Sequence, residues 1–152
     1  ERLIAESHAL RPDETLRARL TAHLAAMGKS PNSFGLVMAE AAYSPEGAEW
    51  VDALVPYLDG NRRIFEEGLA QIPGVKPMSL EATYLTWIDF ADTGMAPAEV
   101  IRRVQQDAQI APNHGATFGK GSESFLRFNI ATPRVRVEEA VRRMQAAFGD
   151  LQ

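Results

Sequence analysis

The stretch Phe125-Leu126-Arg127-Phe128-Asn129-Ile130 is the most informative part of the sequence. Its aromatic and aliphatic residues predict a β-strand. Successive side chains of a strand point to opposite faces of the sheet, so the apolar alternate residues share one face. These residues are Leu126, Phe128 and Ile130. The other face carries Arg127 and Asn129 with Phe125 beside them, so the pattern predicts an arginine in the middle of a strand, opposite a core-packing face.

An arginine fixed in mid-strand beside an amide is suited to binding a carboxylate, because the planar guanidinium matches the two carboxylate oxygens. Two structural interpretations of Arg127 stay open: an ion pair with Asp89 across the sheet, and a solvated charge at a sheet edge. Exposed charges on half-solvated strands are common, so the spacing alone favours these two interpretations over a ligand site.

The residues from 46 onward predict an α+β domain with a small sheet covered by helices. The order is helix, strand, helix, strand, helix. The predicted elements are a helix over Ala48–Gln71 with a kink at Pro56, a strand over Ala82–Phe90, a helix starting near Pro97, the strand Phe125–Ile130 and a helix over Val135–Phe148.

The first 45 residues predict a strand over Leu3–Leu10 and two helices. Asp13 is a suitable N-cap for the first helix, and Gly28 is a suitable stop. The second helix, Ser33–Tyr43, is apolar and is expected to be largely buried. The turn residues Ser44–Gly47 then indicate the domain boundary, which gives domains of residues 1–45 and 46–152.

Composition narrows the class of protein. The net charge of −4 argues against a nucleic-acid-binding module, and no apolar run approaches the length that spans a bilayer. Cysteine is absent, so a disulfide framework and thiolate metal ligands are excluded, and we expect no metal site. The lack of cysteine fits a cytoplasmic protein. The chain begins with Glu1 rather than methionine, and we expect it to be a fragment.

The loop Ala111–Gly119 is the second candidate for a site, because glycines allow a backbone to approach a ligand closely. His114 in this loop is a possible acid or base. No carboxylate partner for it is visible in the sequence, so a purely structural histidine is the favoured interpretation.

Several segments together resemble the carbon–sulfur β-lyases, the cystathionine β-lyase-like branch of the class I/II aminotransferases. These are pyridoxal-phosphate enzymes of fold type I. The resemblance rests on Ala42-Tyr43 followed by Gly47, Trp50, Asp52, Leu54, Tyr57 and Asn61, on Ala82–Asp89, on Gly115–Gly119, on Phe125–Asn129 and on Ala131–Arg134. The segments occur in register from about Leu3 to the last helix.

The resemblance implies a fold and a set of site residues. Residues 46–152 would form the C-terminal small domain with a mostly antiparallel sheet, and residues 1–45 the last strand and helices of the large cofactor-binding domain. Arg127 would bind the α-carboxylate of an amino-acid substrate, and Arg134 would be structural or would help to order the loop that carries Arg127. The substrate entrance would include Tyr84 and the loop from Asn113 to Phe118, with Asn113 and His114 as the candidate substrate-binding residues of that loop. The loop from Ser30 to Ser33 resembles one that reaches the cofactor across a dimer interface, so Ser30 and Asn32 are candidates for cofactor binding.

The resemblance also implies that the chain alone is not catalytic. In the family a lysine holds pyridoxal phosphate as a Schiff base, in a motif that would precede this chain. The lysines here are Lys29, Lys76 and Lys120, and none stands in such a motif. We therefore expect no catalytic residue within the chain and no covalent cofactor binding by it alone.

The expected parent protein is a cytoplasmic homodimer that eliminates a thiol from an L-cysteine S-conjugate such as cystathionine. A transaminase acting on an amino acid is the alternative within the family. A stand-alone, non-catalytic α+β ligand-binding module is the alternative outside it. Neither nucleic acid nor a membrane is an expected partner.

Overall fold

The computed structural model describes residues 13–28 and 32–151. The predicted strand Leu3–Leu10 and the candidate Ser30 lie outside these residues. Contacts divide the chain into two units, Glu1–Ala53 and Leu54–Gln152, which are described separately. This division falls inside a long helix, and the domain boundary after residue 45 stays a prediction.

Two short helices of the first unit begin and end where the sequence predicts. Helix α1 spans Glu14–Ala26, and the Asp13 side chain accepts a hydrogen bond of 2.9 Å from the Leu16 N–H. Gly28, just after α1, has a φ of 62°, a left-handed conformation that favours glycine at a helix end. Helix α2 spans Ser33–Ala42, and the Asn32 side chain caps it by accepting from the Gly35 N–H.

The prediction that α2 is largely buried is wrong for the described chain. No residue of α2 is buried, and Phe34, Val37 and Met38 are 79%, 65% and 67% exposed. A helix that is apolar all round needs neighbours on every side, and the described residues do not surround it. Helix α1 has no buried residue either.

Helix α3 spans Pro45–Leu69 and continues through Pro56. It begins at Pro45 rather than at the predicted Ala48. The Ser44 hydroxyl accepts a hydrogen bond of 3.1 Å from the Gly47 N–H, and the Ser44 carbonyl accepts one from Ala48. Residues that indicated a chain break thus form a helix start, because proline suits the first helical position and serine suits the N-cap.

The second unit contains a four-stranded antiparallel sheet with the order β1-β2-β4-β3. The strands are β1 (Lys76–Pro77), β2 (Leu85–Asp89), β3 (Asn113–His114) and β4 (Phe125–Asn129). The helices are α4 (Pro97–Arg102), which continues as a π-helical turn over Arg103–Asp107, and α5 (Arg134–Ala147), with 3₁₀ turns over Ala91–Thr93, Gly115–Phe118 and Gly149–Leu151. This arrangement confirms the predicted α+β class with a small antiparallel sheet.

The core lies between one face of the sheet and the helices. Leu126, Phe128 and Ile130 are buried, which confirms the predicted apolar face. The helix residues that share this core are Phe65 and Leu69 of α3, Val100 of α4, and Val137, Val141 and Met144 of α5. The opposite sheet face, which carries Arg127, is therefore free to form a site. Within the described ranges, no helix combines the length and the apolar character needed to cross a membrane.

Candidate functional site

A row of three side chains crosses the sheet at its centre. Arg127 on β4 lies opposite Trp87 on β2 and opposite Asn113 on β3. Residues paired directly across antiparallel strands project from the same face. Trp87, Arg127 and Asn113 therefore share the face that points away from the core.

Two contacts hold the Arg127 guanidinium. Its Nη2 donates a hydrogen bond of 3.1 Å to the Asn113 Oδ1. Its Cζ lies 4.4 Å from the centroid of the Phe118 ring, a distance at which a cation interacts favourably with an aromatic face. The arginine is thus fixed by one amide oxygen and one aromatic ring.

Three aromatic rings form a cluster beside the arginine. The Trp87 and Phe118 centroids are 5.3 Å apart with the ring planes at 82°, an edge-to-face contact. The Trp87 and Phe125 rings stack at 5.4 Å with an angle of 16°. Such pairs give about 0.5–1.5 kcal/mol beyond the burial of their surface. The cluster provides an apolar wall next to a fixed positive charge.

The Arg127 Nε is buried and has no hydrogen-bond partner in the structure. Among the described residues, no carboxylate forms an ion pair with Arg127. An unsatisfied buried donor typically costs about 1–3 kcal/mol. A carboxylate ligand would pair with the terminal Nη groups and neutralise the guanidinium charge.

Asp89 does not form the cross-strand ion pair with Arg127 that one structural interpretation required. Its Oδ1 accepts hydrogen bonds of 2.7 Å from the Ser124 hydroxyl and 2.9 Å from the Ala91 N–H. Asp89 therefore fixes the turns at the ends of β2 and β4, and the guanidinium stays available.

The structure separates the other two candidates for the substrate entrance from Arg127. His114 pairs with Leu126, whose side chain is in the core, so His114 belongs to the opposite sheet face. Its Nε2 lies 3.1 Å from the Gln105 Nε2. Tyr84 precedes β2 and is exposed at a cleft lined by Val55, Leu58, Asp59, Arg62 and residues 80–84. Of the predicted entrance residues, Asn113 is the one in contact with Arg127, and the roles of all of them stay predictions.

The candidate cofactor residues and lysines take other positions. Asn32 uses its side chain to cap α2. Lys76 pairs with Asp92, and this hydrogen bond raises the pKa of Lys76. A raised pKa keeps the amine protonated, which opposes its use as a nucleophile. Lys120 is exposed in a turn, and Lys29 lies outside the described residues. No group of metal-binding side chains occurs among the residues described.

Arg134 and Asn61 fix the segment that follows β4 onto α3. Asn61 is fully buried, and its Nδ2 donates to the carbonyls of Ile130 and Thr132, both at 2.9 Å. Arg134 donates from Nη2 to the Tyr57 carbonyl at 3.1 Å, and its Cζ lies 4.7 Å from the Tyr57 ring centroid. Arg134 thus joins the segment after β4 to α3, and its role stays a prediction.

Sequence reasoning missed Trp87 and gave Phe118 and Phe125 no role, although it placed Phe125 beside Arg127 and Phe118 in the candidate loop. Alternation along β2 places Trp87 opposite the core face, but only strand pairing shows that it faces Arg127. Phe118 comes from a 3₁₀ turn that carries no periodic signal.

Comparisons with known proteins identify the family of the chain. No family model matches the chain. The cystathionine beta-lyase PatB of Bacillus subtilis is 34% identical over 138 residues, which are 90% of this chain and 35% of that protein. An LL-diaminopimelate aminotransferase of Phocaeicola vulgatus is 30% identical over 112 residues, or 70% of this chain and 26% of that protein. Cystalysin of Treponema denticola, whose crystal structure contains pyridoxal 5'-phosphate, gives a TM-score of 0.79 at 30% identity and covers 93% of this chain and 36% of that one.

The chain belongs to the class I/II aminotransferase-fold (fold type I) family of pyridoxal-phosphate enzymes, in its cystathionine β-lyase-like branch. Its second unit has the architecture of the C-terminal domain of these enzymes. The chain spans about a third of the length of the relatives it matches. Pyridoxal phosphate is the cofactor of this family.

Proposed function

We propose that this chain is the C-terminal part of a pyridoxal-phosphate enzyme that eliminates a thiol from an L-cysteine S-conjugate such as cystathionine, with pyruvate and ammonia as the other products. The observation that carries the proposal is the Arg127 guanidinium, which is fixed on the open sheet face with a buried and unpaired Nε. The similarity to the lyase of B. subtilis supports the choice of reaction.

Arg127 would bind the α-carboxylate of the amino acid. The guanidinium carries five N–H donors, of which one is used by Asn113, so a two-point contact with the carboxylate remains possible. A two-point contact fixes the direction of the bonds at Cα, and holding reacting groups in one orientation lowers the entropic part of the barrier. The aromatic cluster of Trp87, Phe118 and Phe125 would exclude water on one side of this contact.

The described residues are suited to binding the substrate, but they include no suitable anchor for the cofactor. Lys76 is held in an ion pair and Lys120 is exposed, so neither is a suitable anchor for pyridoxal phosphate. We therefore assign to this chain the binding and orientation of the substrate and derive no step at the cofactor. We assign the lysine that anchors the cofactor to a part of the protein that precedes this chain.

Product analysis of the full-length protein tests the reaction. With L-cystathionine as the only substrate, a lyase releases pyruvate and homocysteine in equal amounts without any added 2-oxo acid. An aminotransferase needs a 2-oxo acid as amino acceptor and leaves the carbon–sulfur bond intact. Turnover that depends on the 2-oxo acid and releases no thiol would contradict the proposal.

The second candidate function is amino transfer, which the similarity to the diaminopimelate aminotransferase of P. vulgatus favours. Arg127 would have the same role in both reactions, because both substrates carry an α-carboxylate. The product analysis above therefore separates the two functions, whereas substitutions at Arg127 do not.

We further propose that the full-length protein is a homodimer of the cytoplasm. The proposal of a dimer is supported by the exposed apolar side chains of α2, because a partner surface would cover them. Among them are Phe34, Val37 and Met38. Sedimentation of the full-length protein at several concentrations tests the dimer, and a monomer at all concentrations would contradict it.

A further inference from the structure

Both contacts to the Arg127 guanidinium come from one short segment, residues 113–118. Asn113 lies in β3, directly opposite Arg127 in the sheet register. Phe118 ends the 3₁₀ turn that follows. The amide oxygen accepts a hydrogen bond from the guanidinium, and the guanidinium carbon lies over the Phe118 ring.

The segment is itself held in place. Gly115 is buried, and a Cβ at this position would lie 2.0 Å from the Ser122 carbonyl oxygen and 2.5 Å from that of Phe125. Such distances mean that the backbone of the segment contacts the start of β4 too closely for any other residue. The Thr117 hydroxyl donates to the His114 carbonyl at 2.7 Å and tightens the turn. The segment is therefore a fixed support for Asn113 and Phe118.

The groups that contact the guanidinium are both neutral. An aspartate at position 113 would satisfy the same N–H group, but it would also neutralise the charge that a carboxylate ligand needs. Asparagine accepts one hydrogen bond and leaves the charge of Arg127 and its other donors available. The Phe118 ring fixes the plane of the guanidinium in the same way, without a competing charge.

We propose that Asn113 and Phe118 are positioning residues that orient the Arg127 guanidinium for the substrate carboxylate, and that their neutrality keeps this carboxylate site open. This inference rests on the proposed function, since it takes Arg127 to bind the substrate. Ordering a free arginine side chain costs up to about 2 kcal/mol of rotamer entropy, and the two contacts remove this cost before the substrate arrives.

The test compares substitutions at position 113 in the full-length enzyme with its cofactor bound. Asn113→Asp places a carboxylate beside Arg127, and we expect KM to rise roughly ten- to a hundredfold with a much smaller change in kcat, because the competing ion pair is broken only on substrate binding. Asn113→Ala removes the contact without adding a competing carboxylate, and we expect KM to rise about three- to tenfold. We expect Phe118→Leu to have an effect similar to that of Asn113→Ala.

The matched control is Gln105→Glu. Gln105 is exposed and contacts His114 on the opposite face of the sheet. This substitution adds the same negative charge next to β3 without reaching Arg127, and we expect KM to stay within about twofold of the wild type.

A second readout separates positioning from a general structural effect. The dissociation constants of an unreactive amino acid and of the corresponding amine without its carboxylate are measured through the absorbance of the bound cofactor. We expect Asn113→Asp to weaken the binding of the amino acid and to leave the binding of the amine unchanged. Equal losses for both ligands, or equal effects of Asn113→Asp and Asn113→Ala, would overturn the inference.

Arg127→Lys distinguishes a failure of this inference from a failure of the proposed function. If Arg127→Lys weakens the binding of the amino acid but the Asn113 and Phe118 variants bind it normally, the positioning role is wrong and the carboxylate site stands. If Arg127→Lys also binds the amino acid normally, the carboxylate site itself is wrong.

Discussion

Arg127 is an arginine whose neighbours leave its charge unpaired. The wall of three aromatic rings shields one side of it, and its buried Nε has no acceptor. Lysine at this position would keep the positive charge but lose the planar fork, and it could not stack on Phe118 as a guanidinium does.

We therefore predict that Arg127→Lys lowers kcat/KM of the full-length enzyme by roughly thirty- to a thousandfold, which corresponds to about 2–4 kcal/mol. Steady-state kinetics measure the loss. The absorbance of the bound cofactor is the internal control and is expected to stay near that of the wild type. Normal turnover combined with a lower melting temperature would instead show that Arg127 is structural.

Close packing between α3 and α5 depends on a glycine. A Cβ at Gly68 would lie 2.3 Å from the Val141 Cγ1, so the helices approach closely at this point. Two effects compete when Gly68 is changed to alanine: the gain in helix propensity is up to about 1 kcal/mol, whereas overpacking a core costs about 1–3 kcal/mol.

We predict that Gly68→Ala lowers the free energy of unfolding by about 1–2 kcal/mol, as measured by urea denaturation of the full-length protein. The double variant Gly68→Ala/Val141→Ala relieves the contact. Its loss in free energy of unfolding is therefore expected to be smaller than the sum of the losses of the two single variants. Strict additivity of the two losses would show that the contact does not determine the effect.

The π-helical turn after α4 is joined to the C-terminal 3₁₀ turn by charged groups. Arg103 pairs with Glu99 at 2.9 Å and also with Asp150, and Arg102 pairs with Glu99 at 2.8 Å. The hydrogen bonds from Arg102 and Arg103 lower the pKa of Glu99 to about 2. The bond from Arg103 also lowers the pKa of Asp150.

A carboxyl group whose pKa is lower in the folded state stabilises the fold above its ordinary pKa and loses this contribution as the pH falls. For Glu99 the window runs from about pH 4.5, its ordinary pKa, down to about 2. We predict that the melting temperature of wild type falls more steeply across this window than that of Glu99→Gln. The effect is expected to be small and to shrink in 1 M salt, because these charges are exposed. Parallel curves for the two proteins would contradict this prediction.

The elements show which parts of the fold the sequence predicts. Strand β2 was predicted from its aromatic and β-branched residues, and β4 from the alternation of its side chains. Helix α5 was predicted because four apolar residues repeat at helical spacing. Strands β1 and β3 have two residues each, too few for any periodicity. The faces of His114 and Trp87 follow from strand register, which is set by pairing between distant segments rather than by local sequence. The sequence therefore indicated Arg127, whereas its aromatic surroundings required the structure.

The whole chain has an apolar surface in its first unit that the described residues do not cover. Leu16, Leu24 and Met27 of α1 are 58%, 40% and 49% exposed, and α2 is exposed along its length. We predict that the isolated 152-residue chain self-associates through this unit, whereas residues 46–152 form the protease-resistant part. Solution sizing and limited proteolysis measure these outcomes, with Val37→Glu as the variant expected to reduce association. A monomer that resists cleavage throughout would contradict the prediction.

The lysines of the chain determine whether it can bind pyridoxal phosphate covalently by itself. We predict that the isolated chain forms no stoichiometric covalent adduct with pyridoxal phosphate after borohydride reduction and mass analysis. The reason is that neither Lys76, which pairs with Asp92, nor Lys120, which is exposed in a turn, stands in a Schiff-base motif. The full-length protein is the positive control. Complete labelling of Lys29, Lys76 or Lys120 in the isolated chain would show the prediction to be wrong.

The proposed role of Arg127 would link the supply of substrate to the lifetime of the protein. The described residues give the Arg127 guanidinium one amide oxygen and one aromatic ring but no carboxylate, and a bound substrate would supply the missing negative charge. A ligand that binds only the native state adds about 2.7 kcal/mol of stability at a hundred times its Kd. When the amino acid becomes scarce, the same molecules unfold more often and become more accessible to proteases. The abundance of such an enzyme would then follow the abundance of the compound that it consumes.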